Sequence, residues 1–131
     1  MNMRHFLLIF SIILFAIPVC AKHQYLEKDY QKFWCNQRGG LIEYKLPDNT
    51  RVDCLLPDYA VEFDFANKWT ECIGQALYYG QQTDRIPACV LITEEPSNDI
   101  RYLLRLHNAI RNIPKFQIWT ITPEELRKST P

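Results

Sequence analysis

Two short runs around Pro57-Asp58 constrain this chain more than any other feature. Residues 51–56 (RVDCLL) and 59–65 (YAVEFDF) have the alternation of side chains that a strand requires. Pro-Asp is turn chemistry, and only two residues separate the runs. If they close a two-residue hairpin, Leu56 pairs with Tyr59. Asp53 then falls opposite Glu62, and Arg51 opposite Asp64. Opposed side chains point the same way with Cβ atoms about 5 Å apart. Two carboxylates so placed repel each other unless a cation sits between them. The plainer alternative is a solvated face on which Arg51 pairs with both acids.

The flanking sequence supplies a sheet and its helices. Glu27–Arg38 reads as a helix closed by Gly39-Gly40. Leu41–Leu46 alternates as a half-buried strand, and Pro47-Asp48-Asn49 turns the chain. Asn67 is placed to cap a helix from Lys68 to about Gln81. Ala88–Thr93 is continuously apolar, as a strand covered on both faces would be. Asn98 or Asp99 opens a helix to about Asn112, followed by a strand over Lys115–Ile121. Thr122-Pro123-Glu124-Glu125 starts a short last helix. The order α-β-β-β-α-β-α-β predicts an α/β (α+β) fold with a mixed sheet flanked by helices.

The helix after the third strand adds to the acid pair. At 100° per residue, Trp69, Ile73, Ala76, Leu77 and Gly80 form an apolar side. Lys68, Gln75 and Tyr79 lie within about 40° of one another on its flank. Docked by the apolar side, this helix would hold that flank near Asp53 and Glu62. Carboxylates from two strands suit Mg²⁺ or Mn²⁺, and Mg²⁺ takes one or two carboxylates plus water and phosphate oxygens. A lysine beside metal-bound water can assist its deprotonation or stabilise developing charge. Ordinary amphipathic packing, with Tyr79 at the core rim and Lys68 in solvent, is the plainer alternative, and the coincidence with the opposed carboxylates weighs against it.

At these residues the chain resembles the PD-(D/E)XK, or restriction-endonuclease-like, nuclease superfamily. RVDC, VEFD and Gln75-Ala-Leu-Tyr-Tyr79 carry the resemblance, the last as the Gln-x-x-x-Tyr motif of the RecB-like branch. The resemblance covers about residues 27–93. It implies a restriction-endonuclease-like core and a Mg²⁺-dependent nuclease, with DNA as the likelier nucleic-acid substrate over RNA. Asp53 and Glu62 would hold the metal, joined by the Phe63 backbone carbonyl, with Asp64 as an optional third acid. Lys68, Gln75 and Tyr79 would serve the attacking water or the substrate. The family's lysine two residues after the third-strand acid is replaced here by Asp64. Lys68, on the following helix, would have to substitute for it. Otherwise the chain is a non-catalytic interaction module on the same scaffold, which would engage a protein partner. Glu43 is a further acid whose face the first hairpin leaves undetermined.

The N-terminus bears on where the protein works. Arg4, the uncharged run Phe6–Val19 and the small residues Val19 and Ala21 read as a signal peptide cut before Lys22. An uncleaved anchor, or a lipoprotein modified at Cys20, are the alternatives. Cleavage would leave one domain over 22–131, periplasmic or secreted and with no membrane attachment. With Arg4 removed, the 15 basic residues become 14 against 15 acidic, a net charge of −1. Nucleic acid would therefore be held by a local patch and not by a global basic field. Cys35, Cys54, Cys72 and Cys89 favour disulfides in an exported chain, in any of three pairings. Arg101, Arg105 and Arg111 could meet phosphates but fit a solvated helix face. His107 falls with Leu103, Leu104 and Ile110 on an apolar side, and Trp34, Trp69 and Trp119 are spread through the core.

Overall fold

The hairpin at Pro57-Asp58 sets the register of the sheet. Strands β2 (Arg51–Leu55) and β3 (Tyr59–Phe65) run antiparallel, with Cys54 opposite Val61 and Leu55 opposite Ala60. The Leu56 N–H donates to the Tyr59 carbonyl at 2.9 Å, so the turn has the two residues expected of it. The structure, a computed structural model, describes residues 22–128; the expected signal segment lies outside them. Helix α1 (Glu27–Gln37) and strand β1 (Leu41–Lys45) precede the hairpin. A 3-10 turn (Ala66–Lys68) leads into α2 (Trp69–Thr83), followed by β4 (Ile86–Ile92), α3 (Pro96–Ile110), β5 (Gln117–Ile121) and α4 (Pro123–Lys128).

The five strands are ordered β1-β2-β3-β4-β5. β2 is antiparallel to both its neighbours, and β3, β4 and β5 are mutually parallel. That division follows from the connections. Tight turns join β1 to β2 and β2 to β3, whereas α2 and α3 supply the crossovers that parallel pairs need. The architecture is thus a mixed α/β sheet flanked by helices, with β1 on one edge.

Alternation along the strands sorts the core onto two faces. Tyr30, Trp34 and Cys35 of α1 pack with Cys54, Val61, Phe63, Val90 and Ile92, together with Ile121 and with Leu126 of α4. On the other face Cys72 and Ala76 of α2 pack with Cys89 and Leu91 and with Leu106 and Ile110 of α3. Each face carries a disulfide. Cys35–Cys54 ties α1 to β2, and Cys72–Cys89 ties α2 to β4. Loops of this length contribute about 3 kcal/mol each by restricting the unfolded chain.

Several local expectations are corrected. Asn67 does not cap α2; it lies inside the 3-10 turn, and α2 starts without a side-chain cap. Helix α3 begins earlier than expected, at Pro96, with the Glu95 N–H donating to Asp99 Oδ2. His107 and Leu104 are exposed, because α3 turns Leu106 and Ile110 to the sheet instead. Trp34 and Trp119 are not apart. Their ring centroids lie 5.1 Å from each other, between Phe63 and Tyr59.

Gly40 is where the first disulfide meets the backbone. A Cβ there would stand 2.6 Å from both the Cys35 and Cys54 sulfurs and 2.8 Å from Leu56 Cδ2. Gly40→Ala is therefore expected to cost about 2–5 kcal/mol, the range for losing a native disulfide. Denaturant melts check the loss, and thiol titration should find free Cys35 and Cys54.

Candidate functional site

The ladder between β2 and β3 stops where the two acids meet. In an antiparallel pair, every second opposed pair exchanges both backbone hydrogen bonds. Leu56/Tyr59 and Cys54/Val61 fall on that rhythm, and Val52/Phe63 would come next. Side chains intervene instead. The Phe63 N–H donates to Asp53 Oδ2 at 2.9 Å, and the Asp53 N–H donates to Glu62 Oε1 at 3.2 Å. Each carboxylate takes a backbone donor of the opposite strand.

The ladder on the other side of β2 is interrupted at the same residue. Ile42 opposes Cys54 and Tyr44 opposes Val52, so Glu43 stands across from Asp53. Glu43 has a left-handed backbone, φ 53°. The Asp53 carbonyl accepts from the Gln31 side chain at 2.8 Å, and the same amide donates to Glu43 Oε1 at 2.9 Å. Glu43, Asp53 and Glu62 thus form a row across three adjacent strands.

Burial raises the proton affinity of the acids on β2 and β3. Glu62 is 2% exposed and Asp64 5%. Burial pushes the Asp53 carboxyl up, helped by the charges of Glu27 and Glu43 and opposed by the Phe63 N–H. Burial also raises Glu62, which the adjacent Asp53 charge raises further. The two side chains hydrogen-bond each other, so the pair titrates as a unit holding a shared proton. Asp64 rises to about 7, through burial and the charges of Glu27 and Glu71, with Lys68 opposing.

The expected residues divide into three groups. Asp53 and Glu62 come together as the register requires. Tyr79 is brought to them: it is 8% exposed among Leu46, Val52, Leu55 and Ala60. Burial raises its phenol, as does the charge of Glu62, while the Thr50 side chain and Arg51 backbone pull it down. Asp64 lies two residues beyond Glu62 on the same face. Lys68, at the end of the 3-10 turn, and Gln75, one turn before Tyr79 on α2, are exposed. Lys68 makes no ion pair within 4 Å among the described residues, although Asp64 and Glu27 both feel its charge. The Phe63 N–H is engaged in the cluster through Asp53. Arg51 does not pair with the acids; it opposes Lys45 and is exposed. Arg101 and Arg105 reach the Tyr102 ring, with guanidinium carbons 4.7 and 5.7 Å from its centroid.

Gln31 and Glu27 belong to the cluster and were not expected. Glu27 reads in the sequence as an ordinary acid in a first helical turn. Gln31 carried a usable signal, being a polar residue beside Tyr30, Trp34 and Cys35 on the buried side of α1.

The donors fit a hard cation in kind, since two carboxylates in contact match what Mg²⁺ accepts from protein. Among the described residues, however, no group of three or more His, Cys, Asp or Glu side chains is arranged to hold a metal ion. No protein-family model, curated protein or solved structure matches the chain.

The raised Asp64 carboxyl has a consequence for stability. Its folded pKa of about 7 lies above the ordinary 3.8, so the folded state binds the proton more tightly. The contribution of Asp64 to stability is then full below about pH 4 and is lost as pH rises toward and through 7. In metal-free buffer, Asp64→Asn should flatten this decline and stabilise the protein at pH 8. Urea melts at pH 5 and pH 8 of both proteins check it.

Proposed function

We propose that the chain is an exported, divalent-metal-dependent phosphodiester hydrolase acting on nucleic acid, with DNA ahead of RNA as substrate. The observation that carries this reading is the double interruption of the sheet at Asp53. Both ladders open at one point, and carboxylates from adjacent strands touch there. A sheet built only for stability would place apolar residues at such a position. The order of elements, with acids on the second and third strands and Gln75 and Tyr79 on the next helix, agrees with the PD-(D/E)XK resemblance.

Asp53 and Glu62 would hold Mg²⁺ or Mn²⁺, with Asp64 the nearest further acid on their face. When bound, the ion would supply Lewis-acid stabilisation of the phosphate and a more acidic water. The chain's own residues do the rest. The Phe63 N–H fixes the orientation of Asp53, and the Gln31 amide holds the Asp53 backbone. Lys68, exposed at the end of the turn that follows β3, supplies an ammonium to the developing negative charge. Tyr79 walls the acids on the helix side, and Gln75, one turn earlier, is placed to orient water or a phosphate oxygen. Two disulfides are consistent with an exported protein. No helix among the described residues is long and apolar enough to cross a membrane.

One observation favours a second reading. Asp64 occupies the position of the family's lysine and is buried, and Lys68 stands in solvent. A chain that kept the scaffold and lost the lysine would be an interaction module of the periplasm or exterior, with a protein as its partner.

Purified protein with Mg²⁺ or Mn²⁺ should cleave plasmid or single-stranded DNA. Asp53→Asn and Glu62→Gln should each reduce the rate at least about 100-fold with folding intact, and Lys68→Ala should reduce it by about 10²–10⁴. Cleavage assays with circular dichroism of each variant check this. Wild-type protein that neither cleaves nor binds Mn²⁺ would exclude the hydrolase and leave the interaction module.

A further inference from the structure

A cleft of about 340 Å³ lies at the C-terminal ends of β3 and β4. Its wall includes Phe65, Asn67, Glu94, Glu95, Asp99 and Tyr102. It is separate from the Asp53–Glu62 pair, although Phe65 and Asn67 sit between Asp64 and Lys68 in the chain. The start of the described chain is drawn into it. Lys22, His23 and Gln24 line the same cleft.

That segment is held by specific bonds. His23 Nδ1 lies 2.9 Å from Glu94 Oε2, and the Gln24 N–H donates to Glu94 Oε1 at 2.9 Å. The Tyr30 hydroxyl donates to the same Oε1 at 2.8 Å, which locks Glu94 to α1. The His23 ring stacks on Phe65 with centroids 3.4 Å apart and planes 13° from parallel. His23 and Gln24, directly after Lys22, are therefore held by Glu94 and Phe65, close to what would be a chain end, where segments are ordinarily loose. Glu94, Glu95 and Asp99 line the cleft, and among the described residues Lys22 is the one Lys or Arg there.

We propose that this cleft is a receptor for the ammonium group freed when the signal segment is cut before Lys22. Cleavage would turn a neutral peptide nitrogen into a cation beside a carboxylate-lined wall, the chemistry by which a backbone amine is captured. An α-amino group is charged up to a pH of about 7.7–8.0. The ligand is part of the chain, so it is held at high effective concentration by the bonds to Glu94. Through the His23–Phe65 stack, processing then steadies the turn Ala66–Lys68. The inference is independent of the hydrolase reading, because it concerns the order of the chain and not a reaction.

The test uses the full chain, expressed with its leader and recovered after export. Mass spectrometry of the product should find Lys22 first. Two comparisons follow: the product selectively acetylated at its α-amino group, and a chain with Ser-Gly inserted between Ala21 and Lys22. Each should melt about 4 °C lower than the native product at low salt, with the difference shrinking in 1 M NaCl. Amide exchange at residues 65–68 should quicken in both. In a Glu95→Gln/Asp99→Asn protein, whose changed residues lie at the cleft wall and outside the core, acetylation should alter nothing. An N-terminus other than Lys22, or equal melting and exchange for free and blocked forms, would overturn the proposal. Neither result depends on nucleic-acid cleavage, so the two readings fail separately.

Discussion

A carboxylate buried in a sheet must find hydrogen-bond donors, and the nearest ones already belong to the ladder. Asp53 and Glu62 solve this by taking the donors of each other's strands, and the sheet opens as a result. The break in the β1 ladder at Glu43 creates a debt too, since the Asp53 carbonyl loses its strand partner. Gln31 discharges it from α1. The accounting closes: no buried side-chain nitrogen or oxygen among the described residues lacks a partner. Helix position, strand register and the acid cluster are therefore one coupled arrangement. Moving α1 would strand a carbonyl as well as a packing surface.

The disulfides sit where that coupling is most exposed to slippage. Cys54 follows Asp53 directly, and its bond to Cys35 fixes α1 above the opening. On the opposite face the Cys72 sulfur lies 3.5 Å from the Glu62 carbonyl oxygen while bonded to Cys89. Each acid thus has a covalent tie within a residue or a van der Waals contact. A domain of this size buries a limited core. Placing four of its apolar positions in cross-links beside the two acids offsets the cost of burying them.

Much of this was legible because it depends on local counting. A two-residue turn leaves one register, so Asp53 opposite Glu62 followed from Pro57-Asp58 alone. The order of elements followed from turn residues and periodicity. What escaped depends on long-range partners. The face of Glu43 is set by a left-handed φ, which a glutamate does not advertise. The pairing of four cysteines depends on which helix covers which face. His107 was misplaced because an apolar stripe on α3 can be drawn through Leu104 or through Leu106, and only the sheet decides. Lys68 shows the limit of helical geometry: it lies in the 3-10 turn ahead of α2, and its side chain is exposed.

The kink at Glu43 also has a meaning outside the site. β1 is an edge, and an edge strand offers unpaired backbone groups to any other extended chain. Leu41 and Tyr44 make this one apolar as well, at 56% and 40% exposure. A glutamate with φ 53° at the centre of a five-residue strand breaks the straight run of donors and acceptors and adds a negative charge to it. The same bend that turns Glu43 toward Gln31 thereby makes β1 a poorer template for a second extended chain.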